Sequence, residues 1–180
     1  MANPNSMLNV LNGTETSQPL LLGTGTTIGG TSFGPGNSMV VATATLAVTA
    51  ALHAGKTILL SLLASFTSTL PAATGTGNIY RFLNGIVTTS GGGYVIATDG
   101  TAVFKGAIEI AKVGTTYDNA GAAEMFSTTT LKNITMNATT TGGLTIGDTV
   151  QVQDIGVNVW AVTGRFTGSG TLATPFPREG

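Results

Sequence analysis

The chain is expected to be all-β, a single β-sandwich or jelly-roll-like domain entered by an extended N-terminal arm. Three observations predict this. Apolar and small polar residues alternate with period two in several segments, the mark of half-buried strands. Glycine, Asn and Asp punctuate the chain roughly every 8–12 residues, as in sandwiches and small barrels. Residues 1–37 differ in kind from the rest of the chain, being rich in Gly, Thr, Ser and Asn with repeated breaker signals. The division expected is 1–37 as arm, 38–173 as the β-domain and 174–180 as an extended C-terminal tail.

The arm carries Asn12-Gly13, Gly29-Gly30 and Gly34-Pro35-Gly36, yet two apolar clusters interrupt it. These are Met7 and Leu8 with Leu11, and Leu20, Leu21 and Leu22 after Pro19. Burying three leucines is worth roughly 5–9 kcal/mol, enough to pin an extended segment on its own core or on a neighbour. Fully extended, such an arm reaches on the order of 100 Å.

The densest apolar stretch runs from Val40 to Leu83. Thr45–Ala51 alternates, His53–Lys56 supplies a turn, and Ile58–Leu63 suits a strand buried on both faces. Phe66, Ser68 and Leu70 interleave with threonines until Pro71, which cannot donate to a ladder. Strands in tandem of this kind read as a β-meander. Ile79–Leu83 alternates next, and Asn84-Gly85 is a tight-turn signal, with Ile86 and Val87 opening the returning strand. Tyr94–Ala97 is a further strand, turned by Asp99-Gly100. Val103–Val113 fits strand or helix, and its Gly-rich flanks and β-branched content favour strand. Ala120–Phe126 fits one helical turn, and Leu131–Met136 a short strand. After Gly147-Asp148, Val150 and Val152 alternate with Gln151 and Gln153. Asp154-Ile-Gly reads as a turn before the alternating segment from Val157, and the Pro-rich tail from Thr174 as exposed.

Composition narrows the function. Only 8% of the 180 residues are charged, against about 25% in ordinary domains, so Thr, Ser and Asn or contacting partners must cover the surface. A net charge of −1 provides no basic footprint for nucleic acid. With no cysteine, disulfides and Cys-ligated metals are excluded. Mean hydropathy is positive, but Ile58–Leu63 is far short of the roughly 20 apolar residues a membrane span needs. The opening residues lack a basic region followed by an apolar core, so no signal peptide is expected.

Candidate chemistry is sparse. His53 is the single histidine and has no nucleophile arrangement beside it, which makes it a surface or interface residue rather than a triad member. Gly23-Thr-Gly25 to Gly29 has the wrong spacing for a dinucleotide loop, and no strand–turn–helix pattern surrounds it. The acids have no calcium-loop spacing. A glycosidase pair assembled in space from so few carboxylates is a remote option. Asn12, Asn133 and Asn137 match the glycosylation pattern as an Asn- and Thr-rich chain does by chance. Tyr80, Phe82, Tyr94 and Trp160 fall in strands and read as core or subunit contacts. No enzymatic activity, cofactor or metal is expected.

Thr45–Ala51, Ala54–Leu60, Phe66–Ala72, Asn78–Phe82 and Tyr94–Gly100, followed by Gly147–Ile155 and Val159–Gly164, form an ordered set. That set resembles the small capsid decoration (cement) proteins of tailed phages over roughly residues 45–164. The resemblance implies a non-enzymatic virion protein on the capsid exterior, assembled in the host cytoplasm. It also implies a symmetric homo-oligomer, trimer favoured over dimer, that clamps neighbouring units of major capsid protein. The arm lies outside the resemblance; its apolar clusters, Met7, Leu8, Leu11 and Leu20–Leu22, are the expected capsid contacts. Neither nucleic acid nor membrane is an expected partner. The alternative is a carbohydrate- or receptor-binding β-domain on a phage fibre or other appendage, which exposed Trp160 or Tyr80 would favour.

Overall fold

The computed structural model describes residues 26–28, 31–33, 39–87, 93–114, 119–127 and 131–177. The chain divides into two compact units, Met1–Asn37 and Ser38–Gly180. In the first, β1 (Thr26–Ile28) and β2 (Thr31–Phe33) pair antiparallel, with Thr26 opposite Phe33. Met7, Leu8, Leu11 and Leu20–Leu22 lie outside the described residues.

The regular structure described in the second unit is almost all β-strand. The strands are β3 (Met39–Ala42), β4 (Leu46–Ala47), β5 (Thr57–Leu60), β6 (Phe66–Thr69), β7 (Ile79–Asn84) and β8 (Tyr94–Ala97). After them come β9 (Val103–Val113), β10 (Asn119–Ser127), β11 (Asn133–Met136), β12 (Thr149–Gly156) and β13 (Val159–Gly168). One short helix, α1 (Ala50–His53), lies between β4 and β5. A seven-stranded sheet has the order β10-β9-β13-β12-β7-β5-β3, and a four-stranded sheet the order β11-β8-β6-β4.

The expected meander is not what forms. Consecutive strands from β3 to β8 alternate between the two sheets, and each pairs in parallel with the strand after next: β3 with β5 and β5 with β7, β4 with β6 and β6 with β8. Parallel neighbours need a crossover, and here the other sheet's strand is part of each crossover. Ile58–Leu63 is accordingly no doubly buried strand. Ile58 and Leu60 face the core, Leu59 is half-buried, and Leu63 is exposed beyond the strand end. Thr45–Ala51 likewise shrinks to the two residues of β4 before the chain turns into α1.

Asn84-Gly85 makes no hairpin. Asn84 Nδ2 donates to the Gly143 and Thr145 carbonyls at 3.1 and 2.8 Å, and its backbone N–H to the Asp148 carbonyl. The place a returning strand would take beside β7 belongs to β12, antiparallel to it, and β12 pairs antiparallel with β13 on its other side. β13 then runs parallel to β9. Ala120–Phe126 forms no helical turn; it lies within β10, antiparallel to β9. Asp154-Ile-Gly is no turn either. β12 continues to Gly156, and the chain reverses at Asn158, whose φ is +59°. Asn tolerates this left-handed region better than most residues.

In β5, β7, β9, β12 and β13 of the large sheet, Ile58, Leu60, Tyr80, Phe82, Phe104, Ile108, Val150, Val152, Trp160 and Phe166 point inward and are all 0–1% exposed. Gly106 stands opposite Val162 in the β9–β13 pair with a φ of +136°, and a Cβ there would collide with the Val162 carbonyl, so this position needs glycine. Phe66, Tyr94, Ile96, Ile134 and Met136 of the small sheet join the same buried cluster. Two edge-to-face ring pairs lie in it, Tyr80–Trp160 at 5.6 Å and Phe66–Tyr94 at 5.0 Å between centroids.

The tail departs from the exposed conformation expected of it. Thr135 of β11, an edge strand, donates its N–H to the Pro175 carbonyl at 2.7 Å, and Phe176 is fully buried. Proline leaves its carbonyl free to accept while the next ring enters the core. Phe176→Ala should therefore cost about 3–5 kcal/mol in urea unfolding. A loss below about 1 kcal/mol, as expected of a free surface residue, would contradict this docking.

Candidate functional site

The groups that most often carry chemistry are the ones to locate first. His53, expected at a surface or interface, is buried at the end of α1. Its Nδ1 accepts the Thr49 N–H at 3.0 Å, so the ring caps the one-turn helix from which it projects.

Asp99 behaves as its turn position predicts, Oδ1 accepting the N–H groups of Thr101 and Ala102 at 3.0 and 2.9 Å. Asn137 is similar: its Oδ1 accepts the N–H groups of Thr139 and Thr141, both at 3.0 Å. Its Nδ2 donates to the Thr140 hydroxyl. The Asn-Ala-Thr sequence here is thus a turn held by its own amide.

Asp148 and Asp154 are buried, and neither serves a simple turn. Asp148 Oδ2 accepts the N–H groups of Gly143 and Thr167 at 2.8 and 2.9 Å, while Oδ1 accepts the hydroxyls of Thr145 and Thr167. It ties the loop before β12 to β13. Asp154 holds the loop between β6 and β7. Oδ2 accepts the N–H groups of Thr74 and Thr76 and the Thr76 hydroxyl, and Oδ1 accepts the Gly75 N–H. Burial by itself pushes the Asp154 carboxyl up, but the hydrogen bonds from Thr76, Gly75 and Thr74 outweigh it and hold the group down at about 2. Nearby Tyr80 is pushed up, by burial first and then by the Asp154 charge.

The sequence contained a signal for Asp154. It continues the inward row Val150, Val152, Asp154, and an acid on a core-facing parity must find donors there. Neither acid is paired with a second carboxylate in these contacts. Among the described residues, no three His, Cys, Asp or Glu side chains come together as a metal centre requires. No helix there is long and apolar enough to cross a membrane. Tyr80 and Trp160, whose exposure would favour sugar binding, are 0% and 1% exposed.

The other parity of the large sheet faces outward. Val41, Leu59 and Leu83 stand in register across β3, β5 and β7, with Met39 beside Val41. Val41 is 52% exposed, and β3 is the sheet's edge. The same face continues through Thr149, Gln151, Thr163 and Arg165 on β12 and β13. This surface, aliphatic at one end and polar in the middle, is the candidate functional region of the described chain. The sequence-predicted contacts in the arm, Met7, Leu8, Leu11 and Leu20–Leu22, fall outside the described residues. The chain is thus all-β, with the carboxylates of Asp148 and Asp154 and the His53 ring engaged within the fold. No family model, curated protein or solved structure matches it.

The Asp154 arrangement fixes a pH dependence. Its folded pKa lies below the unfolded value, so its stabilisation is complete above about pH 4 and is lost as pH falls toward about 2. Asp154→Asn should cost about 2–3 kcal/mol at pH 7, because an amide turns a donor toward N–H groups that need an acceptor. Urea titrations of both proteins between pH 7 and pH 2 should converge as the wild-type carboxyl protonates. A constant gap across that range would contradict the assignment.

Proposed function

We propose that this protein is a structural component of a phage virion that decorates the outer capsid surface and cements neighbouring capsomers. It acts without catalysis or cofactor, as a homo-oligomer with a trimer favoured, bound to major capsid protein. It is assembled in the host cytoplasm and resides on the capsid exterior. The observation that carries the reading is the partition of side chains. His53, Asp148, Asp154, Tyr80 and Trp160 are held inside, while aliphatic residues line up on an outward sheet face. Such a molecule is equipped to offer surface rather than a reactive pocket. The likeness of residues 45–164 to tailed-phage cement proteins and the 8% charge content point the same way.

The finer architecture belongs to the same proposal. Two sheets contributing to one buried cluster support a β-sandwich or jelly-roll-like domain. The arm, through Met7, Leu8, Leu11 and Leu20–Leu22, lies against capsid protein. Within the tail, Phe176 is committed to the core rather than free for a partner. A carbohydrate- or receptor-binding domain is the weaker reading, since the aromatic rings it would use are buried.

Co-sedimentation with empty heads of the cognate major capsid protein tests this. The full chain should bind saturably, and removing residues 1–37 should weaken binding by at least about tenfold, or 1.4 kcal/mol. Failure of the full chain to bind at any concentration would defeat the proposal. Unchanged binding after truncation would defeat the role given to the arm alone.

A further inference from the structure

Two of the chain's three arginines, Arg81 and Arg165, meet on the outward face of the large sheet. Arg81 pairs with Gln151 and Arg165 with Thr149, so they flank β12 from opposite sides on neighbouring outward positions. Strand spacing places their Cα atoms on the order of 10 Å apart, within converging reach of two long side chains. Between them lies a hollow of about 280 Å³ lined by Arg81, Thr149, Gln151, Thr163 and Arg165. A second hollow of about 290 Å³ shares Thr149 and Arg165 and extends to Ile146, which is 67% exposed. The two hollows adjoin at Thr149 and Arg165 and together make a shallow groove, with Arg81 and Arg165 along one part and Ile146 at the far end.

Arg81 is oriented by a hydrogen bond from Nη2 to Gln151 Oε1 at 3.1 Å. Two carboxylates lie near Arg165. Glu109 is its register partner on β9 but lines neither hollow. Asp148 borders the second hollow with both oxygens already accepting hydrogen bonds. The groove therefore offers outward-facing donors in a fork geometry that matches carboxylate oxygens.

We propose that this groove docks an acidic, extended segment of a partner protein. One or two of its carboxylates sit between Arg81 and Arg165, and an aliphatic side chain rests on Ile146. Charge complementarity selects the occupant. In a chain so poor in charge, two arginines over threonine and glutamine attract carboxylate, and they are too few to follow a nucleic-acid backbone. The inference stands on the sheet face alone and does not depend on what assembly the partner belongs to.

The test uses the isotope-labelled full chain and the peptide Glu-Leu-Glu-Leu-Glu as probe, read by backbone amide shifts. Saturable shifts are expected at Thr149, Gln151, Thr163 and Arg165. They should weaken about tenfold in Arg165→Gln, less in Arg81→Gln, and fade as salt rises. Both positions are on the outward face, so the variants should keep the wild-type melting temperature, which the same samples report. The matching peptide with Gln in place of Glu should leave the spectrum unchanged. The proposal is overturned if the Glu peptide gives no saturable shift, if the Gln peptide acts equally, or if inorganic phosphate reproduces the response at equal concentration.

Discussion

Strand β12 is the constraint on which the larger unit depends. On one side it meets β7, the last strand of a parallel winding; on the other it meets β13, which carries β9 and β10. Both contacts are antiparallel, so one strand joins two regions of different pairing. The unit secures this strand with charge. Asp148 stands just before it and Asp154 near its end; Asp154 accepts donors from the loop between β6 and β7, and Asp148 from the loop before β12 and from Thr167 of β13. Burying an ionised acid is costly unless its oxygens are satisfied. Here donors from Thr74, Gly75, Thr76, Gly143, Thr145 and Thr167 meet that demand.

This arrangement bears directly on function. The chain has only eight acids and one histidine, and it commits two of those acids and the histidine to the interior. Each of these carboxylates is fixed in orientation by several hydrogen bonds to its own fold. The outward face keeps aliphatic, threonine, glutamine and arginine side chains on a stiff backbone, a composition suited to contact. If the protein binds a capsid as proposed, surface complementarity and copy number would supply the affinity by mass action.

Much of the strand content was legible in the sequence, and little of its pairing was. Val150 to Gln153 announces itself because period-two alternation is a local property, and Val103 to Val113 was legible from its Gly-rich flanks and β-branched content. Which strand lies beside which is not local. β5 pairs with β7 rather than β6, and Asn84-Gly85 looks like a hairpin only until Asn84 is seen bonded to the loop before β12. Phe176 defeats the rule that Pro-rich ends are free, because one aromatic ring outweighs the composition around it. For the candidate site, parity alone would have placed Asp154 inward and Arg81 outward. The meeting of Arg81 with Arg165 needed the register of β12 against both neighbours.

The central claim is that the protein strengthens an assembled shell rather than merely adhering to it. Calorimetry of empty heads, bare and saturated with the protein, measures that directly. Occupied heads should disrupt at a higher temperature, and the rise should track occupancy until the sites are full. Heads that carry the protein at full occupancy yet disrupt at the temperature of bare heads would contradict the account.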